Sequence, residues 1–274
     1  MKQYLIGESG GTKTDWCFID KCKTKTYFTR KSYHPLNCTQ EFLDKEKQFW
    51  QSHAYMMEAD VHFFGSGCFR EKGSEKLLLF LKGIGLKKIN ILSDLHAAGR
   101  ASFWDDDGTV AILGTGSVLF NWHNCEVQEI IGGKGFIKGD EGSGFYFGKL
   151  IYEAYVKGML SSEQQKVMNS FIVWNEFDQS FSNQTHKTLF SELSFKLKDF
   201  RILFHEFHVK NILAFCDAHL IPQRHSDFVT VVGSYGFHHQ RVVKQVFANY
   251  DVNVNAFIER PIERIVEQTV LFND

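Results

Sequence analysis

The sequence predicts an α/β protein built as two lobes on one repeated plan, and three observations carry that expectation. Residues 4–19 read as an apolar run, a turn of Gly and hydroxyl residues, and a second β-prone run, the pattern of a hairpin. A second segment of the same make-up covers residues 110–123, about a hundred positions further on. Behind each hairpin, strand-like runs alternate with helical periodicity, which is the signature of an α/β fold.

After the first hairpin, residues 25–32 read as a third strand. Thr39 is placed to cap a helix running to about His53, with Phe42, Leu43, Phe49 and Trp50 on one face. Residues 60–64 form a short strand ending in Gly65-Ser66-Gly67. Ser74 then caps a helix that buries Leu77, Leu78, Leu81 and Ile84 and stops at Gly83 or Gly85. Residues 88–92 make another strand with Ser93-Asp94 at its carboxyl end, followed by a short helix through Ala97, Ala98 and Ala101. The Asp105-Asp106-Asp107-Gly108 run is the expected lobe boundary, because clustered like charges beside Gly favour an exposed turn.

The second half repeats the plan. Its hairpin leads into a strand over 127–131, a glycine-dense stretch over 132–144, and a helix carrying Phe147, Leu150, Ile151, Ala154 and Tyr155. Further helices are expected over 163–173, 186–200 and 202–219. The continuous apolar run 228–232 reads as an interior strand. It breaks at Gly233-Ser234-Tyr235-Gly236 into a helix with Val242, Val243, Val246 and Phe247. A last strand near 252–257 precedes Pro261, which suits the first position of a terminal helix.

At 274 residues, 43% hydrophobic and 23% charged, the chain has the composition of a soluble globular protein. A formal net charge of -1 leaves no basic excess to neutralise a phosphate backbone and argues against an electrostatically driven nucleic-acid binder, so no nucleic acid is expected. The six cysteines include no Cys-x-x-Cys pair, and several lie inside apolar runs, as reduced buried thiols do. A disulfide framework is not expected at that density. No targeting leader precedes the first strand and no apolar stretch is long enough to span a bilayer, so the expected location is cytoplasmic and away from membranes.

Each hairpin turn gathers several backbone N–H groups in one concavity, an anion-binding nest to which Thr or Ser hydroxyls add donors. One such turn is accounted for by a need for φ > 0, which Gly meets without steric cost. Two turns of the same chemistry point to phosphate, and to a nucleotide held between two lobes. The segment from Gly7 to Thr14 comes within one residue of a Walker A loop, which needs Gly where Thr12 stands and a helix afterwards. Residues 14–19, with Trp16, Cys17 and Phe18, are β-prone, which excludes a P-loop. No Gly-x-Gly-x-x-Gly fingerprint occurs, so a dinucleotide enzyme is disfavoured. His205 and His208 stand three apart where a zincin helix needs four, and no structural metal is expected. That pair and His238-His239 are expected to face solvent or cap helices.

Two acidic features stand out. Gly139-Asp140-Glu141-Gly142-Ser143-Gly144 is either an acidic segment stabilising a helix N-terminus or an active-site loop whose carboxylate binds substrate hydroxyls. Asp94 is either the N-cap of the helix behind it or a general base where clefts form at strand carboxyl ends.

Taken in order, these segments resemble the actin-like ATPase and sugar-kinase superfamily, and most nearly the BadF/BadG/BcrA/BcrD-type ATPase family, which includes N-acetylglucosamine kinases. Its first phosphate motif is similar to Gly7 to Thr14 and its second to Leu113 to Ser117. The specific element is Gly139 to Gly144, and Val229 to Gly236 and Ile258-Glu259-Arg260-Pro261-Ile262 are similar to the adenosine-side and closing segments. The resemblance implies two lobes of ribonuclease-H-like topology, 1–107 with 259–274 returning to it and 108–258, with ATP, Mg²⁺ and sugar in the interlobe cleft. It implies a kinase acting on the 6-hydroxyl of N-acetylglucosamine or a related amino sugar, a small-molecule partner, with homodimerisation left open.

By the same resemblance, Gly10, Gly11, Thr12, Gly114, Thr115 and Gly116 would cradle phosphates, and Gly233 and Ser234 would line the adenosine side. Lys13 would either assist the phosphates or face solvent. Asp94 would take the proton from the sugar hydroxyl, and Asn37, Gly67 and Asp140 would lie at sugar-binding positions. Glu8 would hold Mg²⁺ through water. Two departures from the family pattern matter. Glu8 stands where the first motif normally carries Asp, which moves the carboxylate by about 1.5 Å, the length of one C–C bond. Lys134 stands where N-acetylglucosamine kinases often have Trp, which opens the site to an anionic sugar such as N-acetylmuramic acid. The other activities compatible with these motifs are an ATPase that activates a partner enzyme and a non-catalytic sugar or nucleotide sensor on a kinase fold.

Overall fold

The apolar runs that flank the first glycine-rich turn fold back on each other as a hairpin. A computed structural model of the chain describes residues 2–11, 13–133, 135, 139–171, 184–220 and 228–272. In it, β1 (Tyr4–Ser9) pairs antiparallel with β2 (Lys13–Ile19), and the Gly10 N–H closes the turn on the Lys13 carbonyl at 3.1 Å. A strand follows the turn and not a helix, as the β-prone residues behind it require. β3 (Lys25–Lys31) joins β2 antiparallel, while β4 (Asp60–Gly65) and β5 (Lys88–Ser93) extend the other side as parallel strands, giving the order β3-β2-β1-β4-β5.

The second hairpin builds a second sheet on the same plan. β6 (Gly108–Leu113), β7 (Ser117–His123) and β8 (Glu126–Gly132) form an antiparallel meander. β9 (Phe228–Val232) and β10 (Asn253–Ile258) run parallel to β6, in the order β10-β9-β6-β7-β8. The apolar β9 is hydrogen-bonded on both sides, which explains its unbroken hydrophobic run. The chain divides into two compact units, Met1–Asp105 with Arg260–Asp274, and Asp106–Glu259.

In the first unit, α1 (Gln40–Ser52) starts where Thr39 Oγ1 accepts the Phe42 N–H at 3.2 Å. The next helix, α2 (Glu71–Gly83), begins earlier than its serine suggests. Ser74 lies inside the first turn and donates to the Glu71 carbonyl at 2.8 Å, while Glu71 takes the first position, where a carboxylate favours the helix dipole. Leu77, Phe80 and Leu81 are buried by α2, whereas Leu78 is only half-buried. α3 (Asp94–Phe103) follows β5 directly, and α10 (Pro261–Phe272) packs on α3 and β1 with Pro261 at its first position.

An aromatic core of Trp16, Tyr33, Trp50 and Phe63 lies beneath these helices. Gly7 belongs to that core: a Cβ there would stand 2.6 Å from the Trp16 ring and 2.8 Å from Phe63. The first glycine of the phosphate motif is therefore fixed by packing. Glu46 is buried on α1 yet satisfied, because Arg30 binds it through two nitrogens at 2.7 and 3.0 Å and the Tyr33 hydroxyl donates to it.

In the second unit, α4 (Gly144–Val156) is capped by Ser143, whose Oγ accepts the Tyr146 N–H at 3.1 Å. α5 (Ser162–Phe171), α6 (Gln184–Lys196) and α7 (His205–Phe215) complete the helical layer, with α7 running on into one π turn, Cys216–Leu220. Residues 172–173, the end of one expected helix, lie outside the described residues. The helical segment behind β9 divides at His239 into α8 (Ser234–His238) and α9 (Gln240–Ala248). The core of this unit joins Leu113, Phe147, Ile151, Phe190, Phe215 and Phe247.

Candidate active site

Strand register sets the site of the first unit. Ser9 of β1 lies opposite Gly65 of β4, and Gly65 lies opposite Ser93 of β5. The next residues, Gly10, Ser66 and Asp94, therefore leave the sheet side by side at its carboxyl edge, where ligand sites form in open α/β sheets. The Ser66 N–H continues the ladder to the Ser9 carbonyl at 2.8 Å.

Asp94 is the first residue of α3. The cap position belongs to Ser93, so Asp94 is not the N-cap that the sequence also allowed. Its Oδ1 accepts the Leu95 N–H at 3.1 Å, and the Ser66 hydroxyl also bonds it. Burial raises its pKa, and these hydrogen bonds oppose the rise.

Glu8 and Asp15 are direct cross-strand partners, so their carboxylates share one face of the hairpin. Asp15 is buried and well supplied with donors: Lys13 Nζ at 2.7 Å, Thr29 Oγ1 at 2.7 Å and the Arg260 guanidinium at 3.5 Å. Burial alone would raise its pKa, but these partners hold it below the usual carboxylate range. Glu8 takes the opposite course. Burial first, then repulsion from Asp15 and Asp94, push it up to about 7, against the pull of the Ile262 N–H and Lys13. Ile262 lies in the first turn of α10, so the positive end of that helix faces Glu8.

This gathering of acids fits a divalent cation, which would relieve the repulsion that burdens Glu8. Among the described residues no three His, Cys, Asp or Glu side chains converge to ligate an ion directly. A single carboxylate such as Glu8 would hold Mg²⁺ through water, because that ion gives up its waters reluctantly.

Asn37 is exposed on the loop after β3, its N–H bonded to the His34 carbonyl at 2.8 Å and its Nδ2 to the Ser32 carbonyl at 3.3 Å. Gly67, with φ +79°, packs against His34: a Cβ there would lie 2.7 Å from His34 Nε2. The structure thus brings Glu8, Gly10, Lys13, Asn37, Gly67 and Asp94 into one unit. Thr12 and Lys134 lie outside the described residues.

The second unit holds the other sequence-derived positions. The Gly114 N–H bonds the Gly116 carbonyl at 3.0 Å, and the N–H groups of Gly144 and Phe145 bond the Gly114 and Thr115 carbonyls at 2.9 and 3.3 Å. Asp140, in the left-handed region at φ 66°, accepts the Ser117 N–H at 3.2 Å, and its Oδ1 would lie 3.0 Å from any Cβ on Gly116. Gly233, at φ +107°, abuts the same turn so closely that a Cβ would meet the Leu113 carbonyl oxygen at 2.9 Å. Asp140 and Gly233 therefore abut the Gly114-Thr115-Gly116 turn, and Ser234 follows Gly233 as the first residue of α8.

Two residues there escaped the sequence reading. Asn211 of α7 is fully buried, accepts the Gly142 N–H at 2.7 Å and donates to the Ser143 carbonyl at 2.9 Å, so one amide fixes the acidic loop. His208 is also buried, contrary to the expectation that it faces solvent. It stacks on Phe147 with centroids 3.9 Å apart and bonds the Tyr235 hydroxyl at 2.8 Å. The apolar positions of α7 flank both residues, and that periodicity was the signal that could have placed them inside. His205 and His238 are exposed, and His239 is half-buried.

The two sheets and their helices form the α/β fold of sugar kinases and actin-like ATPases. Over 99% of its length the chain is similar to a candidate N-acetylglucosamine kinase from Porphyromonas gingivalis, with a TM-score of 0.87, 21% identity and 100% of that chain covered. A candidate N-acetylglucosamine kinase from Chromobacterium violaceum matches with a TM-score of 0.67 and 14% identity, over 97% of this chain and 98% of its own. Glucokinase from Balamuthia mandrillaris, solved with glucose, matches with a TM-score of 0.56 and 11% identity, over 98% and 93%. No family model and no curated protein matches the sequence. At these identities the likeness establishes the fold and leaves the chemistry to the site. No helix among the described residues is long and apolar enough to cross a membrane.

Proposed function

We propose that this chain is an ATP-dependent sugar kinase that phosphorylates the 6-hydroxyl of N-acetylglucosamine or a related amino sugar. The observation that carries the reading is the placing of Asp94 beside Ser66-Gly67 and the Glu8 hairpin on one sheet edge. Phosphoryl transfer rests on positioning and charge neutralisation, and a carboxylate within reach of the acceptor hydroxyl serves as its base.

In this reading Gly10, Gly11, Thr12, Gly114, Thr115 and Gly116 bind phosphates, and Gly233 and Ser234 line the adenosine. Lys13, steadied by Asp15, offers its ammonium to the phosphates. Asn37, Gly67 and Asp140 orient the sugar. The Asp94 carboxylate takes the acceptor hydroxyl proton, and the Ser66 and Leu95 bonds favour its ionised form against burial. Mg²⁺, when bound through water at Glu8, would neutralise phosphate charge.

The test is a coupled ADP-release assay with ATP and Mg²⁺, run with N-acetylglucosamine, N-acetylmuramic acid, glucose and a no-sugar blank. Sugar-dependent release is expected. Release independent of sugar would replace this reading with a partner-activating ATPase. ATP binding with no turnover would replace it with a sensor.

A further inference from the structure

The phosphate hairpin and the loop that carries Asn37 are joined through one buried hydroxyl. Ser32 follows β3 and is 3% exposed. Its Oγ donates to the Gly10 carbonyl at 2.6 Å and accepts the His34 N–H at 3.2 Å, while its own carbonyl accepts Asn37 Nδ2 at 3.3 Å. The bridge has a second strand: the Tyr33 N–H donates to Thr14 Oγ1 at 2.9 Å and to Ser9 Oγ at 3.1 Å, both fully buried. Ser9 also receives the Ser66 N–H, the residue whose hydroxyl bonds Asp94. The two carbonyls of Ser9-Gly10 are thus a common anchor for the Asn37 loop and for the turn next to Asp94.

We infer that Ser32 is a positioning residue for the acceptor sugar, fixing Asn37 against the phosphate turn through its bond to Gly10. The inference rests on the kinase reading above. In-line transfer needs acceptor and phosphate aligned within fractions of an ångström, so a rigid strut between their two loops acts on rate as well as on affinity. His34 completes the strut. The Leu36 N–H donates to its Nδ1 at 3.1 Å, which places the ring proton of the neutral form on Nε2, and that edge faces Gly67. Without the Ser32 hydroxyl, the Gly10 turn keeps its closure to Lys13 and its place on the β1–β2 ladder. The Asn37 loop loses its bond to the Gly10 carbonyl and keeps only the Tyr33 N–H bonds to Thr14 and Ser9. Sugar parameters then change and nucleotide parameters do not.

The experiment is a double-mutant cycle in the full chain with Ser32→Ala, Asn37→Ala and the pair. It reads kcat and KM for N-acetylglucosamine and for ATP separately, with thermal unfolding alongside. Ser32→Ala is expected to lower kcat/KM for the sugar about tenfold, the equivalent of one good hydrogen bond, with an unchanged KM for ATP. In the Asn37→Ala background the same change is expected to cost little more. Equal costs in both backgrounds would overturn the inference and leave the kinase reading standing. So would a joint rise of both KM values with a lowered Tm, which marks a merely structural role. A wild-type chain that phosphorylates no sugar would overturn both.

Discussion

The two units lay five strands in the same order around a glycine and hydroxyl turn, yet they surround that turn with different side chains. In the first unit, Glu8, Asp15 and Asp94 gather about the hairpin, and Glu8 is driven up to about 7 by burial and by its acidic neighbours. In the second, the turn is held by backbone donors from the start of α4, and Asp140 is bonded to the Ser117 N–H. Elsewhere in the second unit two imidazoles favour the neutral form, the buried His208 pushed down to about 2 and the half-buried His239 to about 3, by burial first and then by neighbouring positive charge. Topology decides where a site falls, at the carboxyl edge of the parallel strands. The side chains in that row decide whether it is built for chemistry or for holding a ligand.

The sharpest way to break this comparison is to neutralise Asp94, the proposed base. Asp94→Asn keeps shape and the bond from Leu95 but removes the proton acceptor. Sugar-dependent ADP release should fall by roughly 10²–10⁴-fold, the usual worth of a general base, with ATP affinity retained. A variant with wild-type turnover would remove catalysis from the first unit.

The matching change in the second unit is Asn211→Ala, which should act on stability before chemistry. It strips partners from the buried Gly142 N–H and Ser143 carbonyl and leaves a small void. The cost should be about 2–4 kcal/mol by urea unfolding, since each orphaned buried polar group costs about 1–3 kcal/mol. A loss below about 0.5 kcal/mol, the level of an ordinary surface substitution, would mean that the acidic loop is held by something else.

These two imidazoles give the second unit a pH dependence with a definite sign. Their folded pKa values lie below the unfolded value of about 6.5, so the unfolded chain binds protons that the native state excludes. Their contribution is complete above about pH 6.5 and falls as pH drops toward about 3, by at most about 1.4 kcal/mol per pH unit for each ring. Arg201, His205 and His238 bear on the pair, and all disfavour its protonation. His208→Phe should flatten the dependence of unfolding free energy on pH across that window. An unchanged slope would show that His208 titrates normally.

What the sequence disclosed and what it hid divide along the range of the interactions. Hairpins, the Thr39 cap and the Pro261 helix start are local events, and all are visible in a few consecutive residues. The start of α2 was misplaced because Ser74 is a good cap by composition, while Glu71, three residues earlier, already had the first-turn position. Asp94, the Asp140 loop and the two glycine turns were singled out from their residues with alternatives left open, and the resemblance then assigned them roles. The sequence could not say that register sets Asp94 beside Ser66. Asn211, His208 and Ser32 were missed for one reason: each acts across many residues, on partners that only the folded chain brings near. A polar residue among the apolar positions of a helix was the one available hint.

The finest test of the contrast is Glu8→Asp. Glu8 faces Asp15 across the hairpin with the Ile262 N–H in support, and its extra methylene carries the carboxylate about 1.5 Å beyond where an aspartate would end. Because Mg²⁺ tolerates little departure from octahedral geometry, the longer side chain should hold the ion's water shell less well. Glu8→Asp should therefore raise kcat modestly and lower the Mg²⁺ concentration needed for half-maximal rate, leaving the KM for sugar unchanged. Activity that stays level or falls would show that the glutamate is the better fit here. The Lys13, Asp15 and Arg260 cluster beside it would then be matched to the longer reach.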